Sequence, residues 1–217
     1  LYDQLEDVQY FEDELHAAVM AAEDAGTYVM VHVYVPEAIR RAIRAGVKSI
    51  EHGQLIDEPT MKLIAEKGVW LSMQPFIGEG NNHYTNPVQQ AKHELVVQGT
   101  DRAYQLAKKY GVKLAWGTDL LFSPANARNQ NLNIEKMTRW FPNFEILKMI
   151  THDNAELLAL SGRRNPYPGK LGVIEEGALA DLIVVDGNAL EDIKVLTDPG
   201  KNMLLIMKDG KIYKNDL

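Results

Sequence analysis

Short runs with the pattern of β-strands alternate with amphipathic segments along the first 120 residues of the chain. Four such runs predict strands, and the first is uncharged and rich in β-branched and aromatic residues, as expected of a strand buried in a parallel sheet. They are Thr27–Tyr34, Lys48–Gly53, Val69–Pro75 and Val112–Asp119. Between the first two, the segment Pro36–Ala45 carries its apolar residues on one helical face and its arginines on the other. This alternation predicts an α/β fold with a parallel sheet.

The spacing of apolar residues predicts further helices before and after these strands. One of them, starting at Thr151, has Asp153 or Thr151 as its expected N-cap and Glu156 as the residue that caps back. The other predicted helices are Leu5–Ala25, Met61–Lys67, Val88–Tyr110, Ile134–Trp140 and Phe144–Ile150.

The last quarter of the chain has a β pattern. Glycine and proline between Ser161 and Gly169 indicate a linker. Beyond it, Ala180–Val185 predicts a strand, and Met203–Met207 with Lys211–Lys214 predicts a hairpin. We therefore expect two domains, residues 1–160 and 161–217.

Histidines lie near the C-terminal ends of two predicted neighbouring strands, and a carboxylate ends a third. They are His32, His52 and Asp119. The C-terminal ends of parallel strands meet at one edge of the sheet, where α/β proteins build their sites. Two imidazoles and a carboxylate form a donor set that suits zinc. On spacing alone, three hydrogen-bonded polar residues at strand ends remain the simpler alternative.

Composition excludes some classes of function. The net charge of −7, with basic residues scattered along the 217-residue chain, argues against nucleic acid binding. No run approaches the roughly 18 apolar residues of a membrane helix. The absence of cysteine rules out disulfides and thiolate metal ligands.

Three short motifs are similar to a known family. HVY at 32–34, SIEHG at 49–53 and GTD at 117–119 resemble strands five, six and eight of the amidohydrolase superfamily barrel. The likeness is to the Xaa-Pro dipeptidase and imidazolonepropionase-like branch, whose motifs read HAY, SIEHG and GTD. The segment Gly172–Asp186 resembles the stretch that follows the barrel in that family.

The resemblance implies an α/β architecture made of the C-terminal half of a (β/α)8 TIM-type barrel. Its strands five to eight would be followed by C-terminal strands of a β-sandwich. A complete barrel needs about 250 residues, and only four strand-and-helix signals precede the β region. The family's His-x-His pair on strand one and its bridging lysine on strand four are expected to precede Leu1.

The resemblance also implies a metal-dependent hydrolase of amide or peptide bonds, with zinc as the expected metal. His32 and His52 match ligands of the second metal of a binuclear centre. Asp119 matches the residue that ligates the first metal and shuttles a proton from the attacking water to the leaving nitrogen. Tyr34 matches a substrate-binding tyrosine, although an aromatic residue there also suits packing. The substrate would be a small-molecule amide or dipeptide, and this chain alone would hold one metal or none and hydrolyse poorly.

Two alternatives remain open from the sequence. One is a non-catalytic α/β domain that binds a small anion or a partner at the same sheet edge. The other is association of two copies, because open sheet edges favour self-association. The loop Phe76–Pro87, which contains His83 and Tyr84, is either a substrate lid or a solvated loop. We expect a surface or packing role for His16, a place on the helix surface for His93, and a position beside the helix cap, not a ligand role, for His152.

Overall fold

A computed structural model describes residues 4–78, 84–120 and 124–217, without the side chain at position 125. These residues form two compact units. The first contains Leu1–Gly117 and Leu160–Arg164, and the second contains Thr118–Ala159 and Asn165–Leu217. The units do not coincide with the division expected at residue 160, which stays a prediction.

The first unit is built on a four-stranded parallel sheet with the strand order β1-β2-β3-β4. This confirms the predicted parallel α/β arrangement. Each strand is shorter than its apolar run, because the run continues into the loops beyond the paired residues. The strands are β1 (Met30–Val33), β2 (Ser49–His52), β3 (Trp70–Met73) and β4 (Leu114–Trp116).

Four helices accompany this sheet: α1 (Glu12–Asp24), α2 (Pro36–Ala45), α3 (Glu58–Lys67) and α4 (Pro87–Tyr110). They pack in chain order, α1 on α2, α2 on α3 and α3 on α4. The helix expected from Leu5 begins only at Glu12, where three acidic residues complement the positive end of the helix dipole.

One face of the sheet is covered and the other is partly open. Ile50 and Leu71 are paired in register and fully buried. On β1, Val31 is the register partner of Ile50. Met30 and His32, its neighbours in the strand, therefore face the other side of the sheet, and both are exposed. The core extends to both faces of β2 and β3, since Ser49, Trp70 and Ser72 are also buried, and the exposed residues of the sheet lie on β1.

Glycines end the helices that return to the sheet. Gly46, Gly68 and Gly111 follow α2, α3 and α4 with φ of 101°, 65° and 62°, a backbone region that favours glycine. Asp57 begins α3, and its carboxylate accepts a hydrogen bond from the Thr60 amide at 2.9 Å.

The second unit begins with short helical segments. Residues Thr151 to Asp153 were expected at a helix N-terminus, and this was wrong. They lie in a π-helical turn, Met149–Asp153, between two helices, and the Thr151 hydroxyl donates to the Leu147 carbonyl instead of capping. The helices are α5 (Pro124–Ala127), α6 (Leu132–Lys136), α7 (Asn143–Lys148) and α8 (Asn154–Ala159), with a 3₁₀ turn at Met137–Arg139.

A three-stranded antiparallel sheet completes the second unit. Its strands β5 (Leu182–Val185), β6 (Met203–Lys208) and β7 (Lys211–Asn215) pair in that order. The predicted strand and hairpin are confirmed. Asp209 and Gly210 both have positive φ, as a two-residue hairpin turn requires. A short helix α9 (Pro199–Asn202) precedes β6, and a 3₁₀ turn occurs at Ile193–Leu196. A further 3₁₀ turn, Gly162–Arg164, belongs to the first unit.

No helix in the described ranges combines the length and apolar character needed to cross a membrane.

Candidate metal centre

His32 and His52 meet at the C-terminal end of the first sheet. The register pairs His32 with Glu51 and Val33 with His52, so strand alternation alone would place the two imidazoles on opposite faces. The backbone of His52 breaks that alternation with a φ of 80°. As a result, Nδ1 of His32 and Nε2 of His52 lie 2.8 Å apart.

The chain reverses direction sharply at His52 and Gly53. Both residues have left-handed φ, 80° and 72°. A Cβ at Gly53 would stand 2.8 Å from Leu71 Cδ1, so the leucine side chain would have to move, and the positive φ also favours glycine. For a non-glycine residue such as His52 this conformation costs about 1–2 kcal/mol. Strain held at a potential ligand points to function, because the surrounding structure must maintain it.

Gln74 holds the second nitrogen of His52. It follows β3, is 5% exposed, and its Oε1 lies 2.8 Å from His52 Nδ1. An amide oxygen only accepts hydrogen bonds, so Nδ1 carries the proton. In the neutral imidazole, Nε2 is then the acceptor that faces Nδ1 of His32. Sequence reasoning missed Gln74, although a polar residue at the end of a third buried strand was a usable signal.

Gln54 adds a second buried amide to the hydrogen bonds that link His52 and Gln74. It is 1% exposed, and its Nε2 donates to Gln74 Oε1 at 3.3 Å. Its own Oε1 is buried and has no hydrogen-bond partner among the residues that the structure describes. Gln54 was also missed from the sequence, where it reads as an ordinary loop residue.

Tyr34 stacks on His52. The ring centroids are 4.6 Å apart and the planes are 12° from parallel. The tyrosine therefore packs beside the histidine pair, and its expected role in substrate binding stays a prediction.

Asp119 belongs to the second unit, three positions after the end of β4. Its side chain is exposed and its φ is 53°. Within the described residues, no group of three or more His, Cys, Asp or Glu side chains is arranged to hold a metal. Ligation and proton transfer by Asp119 stay predictions.

The histidine pair fits two zinc ligands. Two imidazole nitrogens bound to one tetrahedral zinc at about 2.0–2.1 Å stand roughly 3.3 Å apart. The observed 2.8 Å separation therefore needs an opening of about 0.5 Å, and the His32 proton that faces His52 Nε2 must move from Nδ1 to the other ring nitrogen. A ligating histidine normally donates its other ring N–H to a fixed acceptor, as His52 does to Gln74.

A negative charge lies on the open face near this pair. Glu51 is the register partner of His32 and accepts a hydrogen bond from the Ser49 hydroxyl at 2.7 Å. Burial raises the pKa of Tyr28, and the charge of Glu51 adds to the effect. A cation at the histidine pair would therefore experience a favourable field from this face.

The other histidines have local contacts. His16 Nδ1 lies 3.4 Å from the Ala45 carbonyl, and His152 Nδ1 lies 2.9 Å from Asp153 Oδ1. The His93 ring contacts the rings of Phe76 and Tyr84. The contact of His16 agrees with a packing role, whereas His152 lies within the π-helical turn and not beside a helix cap. His83 lies outside the described residues, as does the centre of the loop that contains it.

Comparison with known proteins agrees with this architecture. Residues 3–213 match the Amidohydrolase family. The chain is 33% identical to an ochratoxinase of Aspergillus niger over 212 residues, which cover 95% of this chain and 42% of the relative.

Two solved structures extend the comparison. A prolidase complexed with N-methylphosphonate-L-proline is 35% identical with a TM-score of 0.85, over 98% of this chain and 51% of that one. A Xaa-Pro dipeptidase with bound methionine in its active site is 32% identical with a TM-score of 0.79, over 95% and 50%. The chain thus spans about half the length of these relatives. It belongs to the amidohydrolase family.

Proposed function

We propose that this chain forms part of a metal-dependent hydrolase that cleaves amide bonds in small molecules. The observation that carries the proposal is the pair of imidazoles, His32 and His52, whose nitrogens face each other at 2.8 Å. A buried amide fixes the other nitrogen of His52. This arrangement supports a role for the two histidines as metal ligands, with Gln74 as the outer hydrogen-bond partner of His52.

The proposal includes a finer description of the fold. The four parallel strands would be strands five to eight of a (β/α)8 barrel, and the antiparallel sheet would belong to a β-sandwich. The relatives support this, since they are about twice as long as this chain. The rest of the metal site, including further histidines and a bridging lysine, would then come from the additional length that the relatives have.

Zinc, when bound, would supply Lewis acidity to water and to the amide carbonyl. The neutral imidazoles of His32 and His52 would hold it without cancelling its charge. Asp119 would accept the proton that water loses and deliver it to the departing nitrogen, so that an acid and an amine result. The Tyr34 hydroxyl would donate a hydrogen bond to the substrate carboxylate or carbonyl.

Two related structures with bound molecules support a substrate class for this chain. A prolidase with a proline phosphonate and a Xaa-Pro dipeptidase with methionine both bind amino-acid groups. We therefore propose dipeptides, with Xaa-Pro first, and related acylated amino acids as substrates.

The experiment compares the purified 217-residue chain with His32→Ala and His52→Ala, and with His16→Ala as a matched control. His16 is an exposed histidine on α1. Equilibrium dialysis with zinc measures stoichiometry, and release of proline from Xaa-Pro dipeptides measures turnover. We expect weak binding of one zinc by the wild-type chain and the control, loss of binding in both other variants, and very poor hydrolysis throughout.

Three results would contradict the proposal. Zinc binding that survives in both His32→Ala and His52→Ala would place the metal elsewhere. A wild-type chain that binds no zinc but does bind dipeptides would favour a non-catalytic binding domain. Two tightly bound metals per chain with robust turnover would show that this chain holds the complete set of ligands.

We also propose that the chain self-associates through its sheet edges. Strands β1 and β4 are the outer strands of the parallel sheet among the described residues, and the outer edge of a sheet favours pairing with another chain. Sedimentation velocity over a range of concentrations should show mass increasing with concentration, and a monomer throughout would contradict this.

A further inference from the structure

We infer that Gln74 is a positioning residue that fixes His52 as the Nδ1–H tautomer and so keeps Nε2 open for a metal. The inference rests on the proposed function, because it assigns a role to a residue outside the expected ligand set. Gln74 and His52 are both buried, at 5% and 3% exposure, so water does not compete for this hydrogen bond.

The geometry determines where the proton of His52 lies. A neutral imidazole has one N–H, and either ring nitrogen can carry it. The Gln74 oxygen, 2.8 Å from Nδ1, requires the proton on Nδ1. Nε2 then presents a lone pair towards Nδ1 of His32, at the position where a metal would bind.

Gln54 helps to fix the orientation of the Gln74 amide, and so the position of the proton on His52. Its amide nitrogen lies 3.3 Å from the Gln74 oxygen, which therefore accepts hydrogen bonds from both His52 and Gln54. If the Gln74 amide turned over, its nitrogen would face the nitrogen of Gln54, and two donors would oppose each other. The reversed network, with the proton on Nε2 of His52, requires both buried amides to turn together.

The choice of an amide also has an electrostatic consequence. Metal-bound histidines commonly donate to a carboxylate or a backbone carbonyl. A neutral glutamine fixes the tautomer without adding negative charge, so more of the positive charge of the metal acts on water and substrate. A carboxylate at position 74 should keep the tautomer, whereas an apolar side chain of similar length should release it.

The first experiment measures the tautomer directly in the metal-free chain. Long-range ¹H–¹⁵N NMR at pH about 8, where an ordinary imidazole is neutral, distinguishes Nδ1–H from Nε2–H. We expect Nδ1–H for His52 in the wild type and in Gln74→Glu, and a mixture with a substantial Nε2–H fraction in Gln74→Met. Gln98→Met, at an exposed position of α4, is the matched control and should match the wild type.

The second experiment measures zinc affinity by competition with a chromophoric chelator. Loss of an outer hydrogen bond to a ligand typically weakens metal binding about 10- to 100-fold. We expect a loss of this size in Gln74→Met, rescue to within about threefold in Gln74→Glu, and no change in Gln98→Met. A general loss of folding would not be rescued by Gln74→Glu, so the rescue separates positioning from stability.

Nε2–H in the wild type would overturn the inference, and so would Nδ1–H persisting in Gln74→Met with unchanged zinc affinity. The wild-type measurement needs no variant to fold. If His52 is Nδ1–H and changes in Gln74→Met, but the wild type binds no zinc, the positioning role stands and the proposed function fails. The two claims are therefore tested separately.

Discussion

Gly99 lies in α4 where the helix touches the segment that follows β2. A Cβ at this position would stand 2.9 Å from the carbonyl carbon of Gln54, nearer still to its oxygen, and 3.0 Å from Leu55 Cδ2. The Gln54 carbonyl is backbone and cannot rotate away as a side chain would. We therefore expect Gly99→Ala to push α4 away from the segment that carries Gln54.

The magnitude follows from two opposing effects. In an unobstructed helix interior, glycine to alanine stabilises by about 1 kcal/mol. Overpacking of a close contact typically costs about 1–3 kcal/mol. Because the obstructing group is backbone, we take the upper part of that range, and the net result is destabilisation by about 2 kcal/mol. The sign is thus opposite to that expected from helix propensity.

Urea unfolding of the wild type, Gly99→Ala and Gln98→Ala measures this effect. Gln98 is the preceding, exposed residue of the same helix, and its replacement should change the free energy of unfolding by only a few tenths of a kcal/mol. Gly99→Ala should unfold at a lower urea concentration with a similar slope. If it proves more stable than the wild type by about 1 kcal/mol, the close approach of α4 to Gln54 is wrong.

Three further predictions concern single side chains. Asp119→Asn in the complete protein should lower kcat/KM by about 100- to 10,000-fold in a dipeptide assay, and retention of more than about a tenth of the activity would assign proton transfer elsewhere. Hydrogen bonds from Lys109 and Tyr110 lower the pKa of Glu58 from 4.5 to about 2. Its contribution to stability is therefore present above pH 4.5 and lost as pH falls towards 2, so thermal unfolding of Glu58→Gln should depend less on pH in that window; an unchanged profile would refute the ion pair. Asp57→Ala should cost about 1 kcal/mol in urea unfolding by removing the cap of α3, while Asp57→Asn should lose little, and equal losses would contradict the capping role.

The parallel sheet and its helix ends were predictable because they depend on local pattern. Short strand-like runs marked the four strands, and Gly46 and Gly68 marked helix ends through a backbone conformation that only glycine adopts easily. The hairpin at Asp209 and Gly210 was predictable for the same reason. These features need only residues that are close in sequence.

The site was predictable only in part. The position of His32 and His52 at neighbouring strand ends followed from the strand pattern, but their contact depends on the left-handed backbone of His52, which the sequence does not show. Gln74 and Gln54 are hydrogen-bond partners 20 residues apart, and glutamine carries no periodic signal. The π-helical turn at Met149–Asp153 was missed because it continues a helix through residues that favour a helix start.

The proposed role of the histidine pair can be tested most directly in crystals of the 217-residue chain grown with zinc. Anomalous difference maps on either side of the zinc absorption edge locate the metal without assumptions about its ligands. We predict one peak at about 2.0–2.1 Å from both His32 Nδ1 and His52 Nε2, with Gln74 still accepting from His52 Nδ1. A zinc peak at other side chains, with the His32 and His52 nitrogens still hydrogen-bonded to each other, would contradict the assignment of this pair as metal ligands.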